Sequence, residues 1–247
     1  MNERQMRLRA HLADGLSVGN GASGVAGVIV LLTWHDPRAL IVACVCVFVA
    51  WGFDSIDGLA ARGVKRAPAE GIVLDSLCDV SSFGVLPAVL LAAYGARSGG
   101  AILVIYLVTA IAFVSCVILR LRRYTVHALD QTSKRTSFTG VPSPVAAMST
   151  AAATLCAITG PPALAWLPLL FAGVTAPLMM SRIPYPETPR VAAWAVRAKW
   201  PVPLLVAIAY AAGNIAVAVS VLFSAYLVSG AWARRATPLP ETGSSSR

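Results

Sequence analysis

Apolar residues run along this chain in long blocks separated by short polar or basic turns, at about residues 16–33, 39–53, 72–96, 101–119, 143–159, 163–181 and 201–230. Most blocks approach the roughly 20 residues that a helix needs to cross a hydrocarbon core about 30 Å thick. Inside lipid every backbone N–H and C=O must be satisfied internally, which favours helices. The pattern therefore predicts an all-α fold: a polytopic membrane helix bundle of six core transmembrane helices plus a C-terminal extra span. The second block continues amphipathically to residue 61. The first block is too long for a cleavable signal peptide, and no small-residue cleavage site precedes the next span.

The blocks divide the chain into four parts. Residues 1–15 are a basic cytoplasmic lead suited to the membrane surface, and residues 16–190 form the main membrane domain. Residues 191–232 hold an additional C-terminal transmembrane segment, and 233–247 form a Pro/Ser/Thr-rich tail of disordered composition. The stretch from Pro201 to Gly230 is too long for one untilted span and too short for two. One tilted helix would place both Arg234 and Arg235 outside, whereas a kink or re-entry near Gly213-Asn214 would place both inside. The longest connection, residues 121–142, ends in Thr139-Gly140-Val141-Pro142-Ser143-Pro144, where Gly and Pro break regular helix and the prolines suit a helix start.

Composition agrees with this reading. Of 247 residues 57% are hydrophobic and only 13% charged, and the mean hydropathy is +0.72. The formal charge of +9 raises the question of nucleic acid, but no soluble domain is there to present such a surface. The charge is instead asymmetric. Arg4, Arg7 and Arg9, then Arg62, Lys65 and Arg66, then Arg120, Arg122, Arg123, Lys134 and Arg135, then Arg182, Arg190, Arg197 and Lys199 fill one set of connections, whereas the alternate turns hold only Arg38 and Arg97. This positive-inside pattern predicts a multi-pass protein of the cell (inner) membrane whose N-terminus and second turn face the cytoplasm. The five cysteines (Cys44, Cys46, Cys78, Cys116, Cys156) fall inside predicted spans without CxxC spacing and are read as packing residues. His11, His35 and His127 lack ligand-like spacing.

Against this background four acids are conspicuous. Asp54 and Asp57 close the second span, and Asp75 and Asp79 open the third, on either side of the basic turn. A carboxylate at membrane depth costs about 2.5–3.5 kcal/mol on insertion scales, so it persists with a partner or a task. The spacings i,i+3 and i,i+4 put each pair on one helix face. Two helices joined by a tight turn would aim all four at one point, roughly 8–12 Å inside the turn at 1.5 Å per residue. Hard divalent cations with oxygen ligands are the natural counter-ions, which predicts a site for two divalent cations, Mg2+ or Mn2+. Gly58, Ala61 and Gly71 are small residues on the same faces and admit a flat ligand or another backbone. Arg62 presents a planar fork suited to phosphate. Small residues in membrane helices ordinarily serve packing, and an arginine at a helix end ordinarily marks topology; the four-acid set does not reduce in that way. Together these pieces describe phosphoryl-group chemistry on a lipid. The rival class is an ion-coupled transporter, but that predicts acids near the bilayer midplane rather than beside a basic rim.

The string D-x2-D-G-x2-A-R-x8-G-x3-D-x3-D over residues 54–79 resembles, at every fixed position, the signature of the CDP-alcohol phosphotransferase family. The resemblance implies a membrane transferase with a CDP-lipid donor and an alcohol acceptor. It implies metal ligands at Asp54, Asp57, Asp75 and Asp79, with Asp79 also the base toward the incoming hydroxyl. It further implies a CDP pocket lined by Gly58, Ala61, Arg62 and Gly71. Residues 74–88, 138–147, 178–186 and the segment Leu16-Ser17-Val18-Gly19-Asn20 are similar to the bacterial branch that makes phosphatidylserine, and Asn20 is added to the CDP pocket on that basis. The implied partners are CDP-diacylglycerol, a small alcohol (serine favoured) and the lipid bilayer, with no nucleic acid and room for a homodimer. Where that branch tends to read Arg-Leu-Ala-Arg-Phe, this chain reads Arg120-Leu121-Arg122-Arg123-Tyr124. Arg120, Arg122, Arg123 and Ser143 are therefore the candidate acceptor residues. An extra arginine leaves inositol phosphate or glycerol 3-phosphate open as alternatives, while a serine carboxylate needs a cation such as Arg120 or Arg123.

Overall fold

A computed structural model describes residues 3–60, 69–129 and 139–183. The chain forms helices α1 (Glu3–Thr33), α2 (Arg38–Ala60), α3 (Ala69–Asp79), α4 (Leu86–Ala96), α5 (Gly100–Leu129), α6 (Ser143–Thr159) and α7 (Leu167–Met180). A π-helical segment, Val80–Val85, joins α3 to α4, so residues 69–96 form one continuous third span. Five helices are long and apolar enough to cross a membrane, and α6 is a shorter apolar helix. The all-α bundle expected from the apolar blocks is thus what the chain forms over these residues. The predicted extra span and tail lie outside the described residues.

Short turns alternate the direction of successive spans. Between α1 and α2, Asp36 Oδ1 accepts from the backbone N–H of Arg38 at 2.6 Å, satisfying one of the donors that a helix start leaves open. Between α4 and α5 the chain reverses through Gly99 and Gly100, with φ of 64° and 54°. This left-handed region is easily entered only by glycine.

The third span is the axis of the bundle. Half of its most apolar window is buried within the protein, against 22% for α5; α5 spends most of its apolar surface on lipid. Phe83, Leu86, Leu90 and Leu91 from the third span are fully buried, with Val47 of α2, Phe113 and Val117 of α5, Ala147 and Ala151 of α6 and Met179 of α7 around them. In α6 eleven of 17 residues are buried. Its alanines allow close approach, and Thr150 and Thr154 bond back to carbonyls four residues earlier at 2.9 and 2.8 Å, which hides their hydroxyls from apolar neighbours.

α1 lies alongside the third span and parallel to it. A Cβ placed on Gly21 would meet Cys78 Sγ at 2.9 Å, one on Gly24 would meet Ser82 Cα at 2.6 Å, and one on Gly27 would meet Leu86 Cδ1 at 2.7 Å. Gly24 in particular faces backbone, which cannot move aside as a flexible side chain can. The glycines bring the two helices close enough for short polar side chains of α1 to reach the acids of α3.

α1 begins at Glu3 and carries the basic lead into the first span. One boundary differs from the sequence reading. α5 continues to Leu129 rather than ending near residue 119. The arginines that read as a helix end are instead held in helix by contacts with residues 139–143, which the linear pattern does not show.

Candidate metal centre and acceptor cluster

Asp54 reaches the site from the last turns of α2, and Asp75 and Asp79 from successive turns of α3. One carboxylate oxygen from each lies within 4.8 Å of the other two. Asp79 is 8% exposed, and Asp54 and Asp75 are half-buried. Two unit charges at that separation repel by about 1 kcal/mol in water and about 3–4 kcal/mol at an effective dielectric near 20. The arrangement therefore favours a bound cation. An ion held at about 2.1 Å from each oxygen separates its ligands by roughly 3–4 Å, within small side-chain adjustments of what is seen. The residues present fit a hard divalent cation.

α1 contributes two donors to these acids. Ser17 Oγ donates to Asp75 Oδ1 at 3.3 Å, and Asn20 Nδ2 donates to Asp79 Oδ1 at 2.9 Å. Both side chains are buried, Asn20 completely. Sequence reasoning placed Ser17 only in the segment similar to the bacterial branch, with no part in the site, and gave Asn20 a different duty. The available signal was two polar residues three apart, on one face of an otherwise apolar span.

The remaining predicted residues fall as follows. Asp57 and Gly58 lie on α2, one turn beyond Asp54, and Gly71 is in the first turn of α3. The side chain of Asp57 is outside the described part of the structure, and so are Ala61 and Arg62 entirely. Among the described side chains, Asp54, Asp75 and Asp79 are brought together.

A second polar cluster stands on α5. Ser76 Oγ and Thr125 Oγ1 are 2.6 Å apart, so α5 meets α3 at the level of the acids. One turn before Thr125, buried Arg120 donates from Nη1 to Ser143 Oγ at 3.2 Å, and its Cζ sits 4.6 Å from the centre of the Tyr124 ring. Arg123 Cζ lies 5.3 Å from the same ring, and its Nη2 donates to Thr139 Oγ1 at 3.2 Å. The Tyr124 hydroxyl donates to the Thr139 carbonyl at 2.6 Å and accepts from the Thr139 N–H at 3.0 Å. Arg120, Arg123 and Ser143 are thus gathered around Tyr124, whereas Arg122 is exposed. At about 100° per residue Arg122 stands some 200° around the helix from Arg120. Tyr124 and Thr139 were not foreseen, because their pairing spans the connection between α5 and α6.

Comparison with known proteins fits this geometry. Residues 10–182 match the model of the CDP-alcohol phosphatidyltransferase family, and the chain belongs to that family. It is therefore a transferase and a multi-pass membrane enzyme. It is 33% identical over 191 residues to the archaetidylserine synthase of Methanothermobacter thermautotrophicus, covering 76% of this chain and 74% of that protein. It is 31% identical over 147 residues to the CDP-diacylglycerol–serine O-phosphatidyltransferase of Saccharomyces cerevisiae, covering 56% of this chain and 51% of that protein. With the Bacillus subtilis protein of the same name it shares 29% identity over 133 residues, 54% of this chain and 69% of that protein.

Proposed function

We propose that this enzyme transfers the phosphatidyl group of CDP-diacylglycerol to the hydroxyl of L-serine, releasing CMP and giving phosphatidylserine. The observation that carries the chemistry is the convergence of Asp54, Asp75 and Asp79 from two helices onto one point. The choice of serine is supported by the names of the three relatives, which share that word. It is supported also by the buried guanidinium of Arg120 beside Ser143, a cation of the kind that a carboxylate acceptor needs.

In this reading Asp54, Asp57, Asp75 and Asp79 hold two divalent cations, Mg2+ or Mn2+. Such ions neutralise the diphosphate and stabilise the departing CMP when bound. Gly58, Ala61, Arg62 and Gly71 line the CDP pocket, and Arg62 contacts phosphate. Asp79 takes the proton from the serine hydroxyl, which is a poor nucleophile unless its proton is removed as it attacks. The serine oxygen forms the new bond to the phosphorus that carries diacylglycerol, and the bond from that phosphorus to CMP breaks. Arg120 and Arg123 face the serine carboxylate. The acids and the arginines share the end of the bundle opposite Arg38 and Arg97, which supports a site facing the cytoplasm at the inner membrane.

The test is an acceptor screen with purified protein and CDP-diacylglycerol. CMP release and phosphatidylserine are expected with serine. Turnover with glycerol 3-phosphate or inositol phosphate and none with serine would overturn the acceptor while leaving the transferase in place.

A further inference from the structure

Asn20 is the most deeply buried polar side chain beside the acids, at 0% exposure. Its amide nitrogen is committed to Asp79 Oδ1 at 2.9 Å, and its carbonyl oxygen has no hydrogen-bond partner among the described residues. Turning the amide over does not relieve this, because two acceptors would then face each other. A buried acceptor left unmade costs about 1–3 kcal/mol. Leucine has nearly the same shape and would carry no such cost in an apolar helix. An asparagine retained here has a task that the protein alone does not complete.

We infer that Asn20 is a positioning residue for Asp79. It holds one carboxylate oxygen of Asp79 and so fixes the direction in which that carboxylate meets a divalent ion and the substrate proton. Its own carbonyl oxygen accepts a hydrogen bond only when the site fills, from a water or hydroxyl that accompanies the ion. Ser17 does the lesser part of the same work, holding Oδ1 of Asp75 from the preceding turn of α1 at 3.3 Å. The close glycine-lined approach of α1 to the third span is what brings both donors within reach. This inference rests on the ion-binding reading above, and it differs from a nucleotide contact by Asn20 in what it predicts.

The experiment is a Mn2+ titration of the purified full chain in detergent, followed by the electron paramagnetic resonance signal of the free ion, without nucleotide. A wild type that binds no Mn2+ overturns the ion reading and this inference with it. Given wild-type binding, Asn20→Leu is expected to weaken Mn2+ about 10–100-fold, the usual effect of losing a group that orients a ligand. CDP affinity measured without ion is expected to stay within about twofold of wild type, a range that corresponds to roughly 0.4 kcal/mol. Unchanged Mn2+ affinity in Asn20→Leu overturns the inference; so does loss of CDP affinity with Mn2+ binding intact. Should Asn20→Leu fail to fold, Asn20→Ser carries the same test, since its shorter side chain cannot span to Asp79. A loss of Mn2+ affinity of tenfold or more in that variant supports the inference, and a smaller one overturns it.

Discussion

Asp54, Asp75 and Asp79 converge from two helices with oxygens within 4.8 Å of one another, whereas Arg120 and Arg123 stand on one helix and flank a single tyrosine ring. The acids are held from outside, by α1, and the donors seen on them engage one oxygen of Asp75 and one of Asp79. The arginines are braced by their own neighbours, through Ser143, Thr139 and Tyr124. Carboxylates brought this close repel one another, and a bound cation offsets that repulsion. Guanidinium groups stacked on an aromatic face and hydrogen-bonded to hydroxyls are already shaped, and a ligand gains from that order. In the proposed reading the first cluster is completed by a cation and the second selects the acceptor.

The largest effect should come from breaking the acid cluster. Asp54→Asn or Asp75→Asn is expected to remove nearly all turnover, and excess chelator should do the same to wild type, with recovery on adding Mg2+ or Mn2+. Full activity in chelator would contradict the contrast at its root. Next in size, Asp79→Asn should lower kcat by something like the 10²–10⁴-fold attributable to a general base while leaving CDP-lipid binding in place. Equal loss of donor binding would reduce Asp79 to an ion ligand.

On the basic side the effects should be smaller and should fall on the acceptor. Arg120→Ala is expected to raise KM for serine about 10–100-fold, corresponding to the roughly 1.5–3 kcal/mol of a hydrogen bond to a charged group, with KM for the donor little changed. Tyr124→Phe removes two bonds to Thr139 while keeping the ring, so a rise of several-fold in the same constant is expected from about 1 kcal/mol per bond. Arg122→Ala should move serine kinetics least, because that side chain points away from the cluster. A large change at Arg122 with a small one at Arg120 would reverse the assignment and favour a phosphorylated acceptor.

Much of this was legible in the chain. The apolar blocks mark the spans, because lipid enforces both length and helicity, and the acids at 54, 75 and 79 could be placed on helices from spacing alone. The partners of those acids could not. Ser17 and Asn20 find Asp75 and Asp79 only because glycines elsewhere on α1 permit close packing, and such a contact has no local signature. The arginine run misled in a similar way: it reads as the end of a span, yet Thr139 and Ser143 hold it in helix as far as Leu129. The contribution of Asp57 and Arg62 rests on the motif they complete.

The odd turn in the third span has a consequence for how this chain tolerates change in length. Ten steps of α1 separate Ser17 from Gly27, while eleven steps of the third span separate their counterparts Asp75 and Leu86. The extra residue is taken up where the Leu86 N–H reaches back to Ser81 O, a turn one residue longer than an α turn. Deleting a single residue between Val80 and Val85 would give a uniform helix of ten steps against the ten of α1 and keep both contacts, whereas inserting one more would turn the acids about 100° relative to the core below them. Either the carboxylates or the leucines would then miss their neighbours on α1. Point substitutions in that stretch leave the spacing intact, so the insertion of a further residue is the change this segment is least able to absorb.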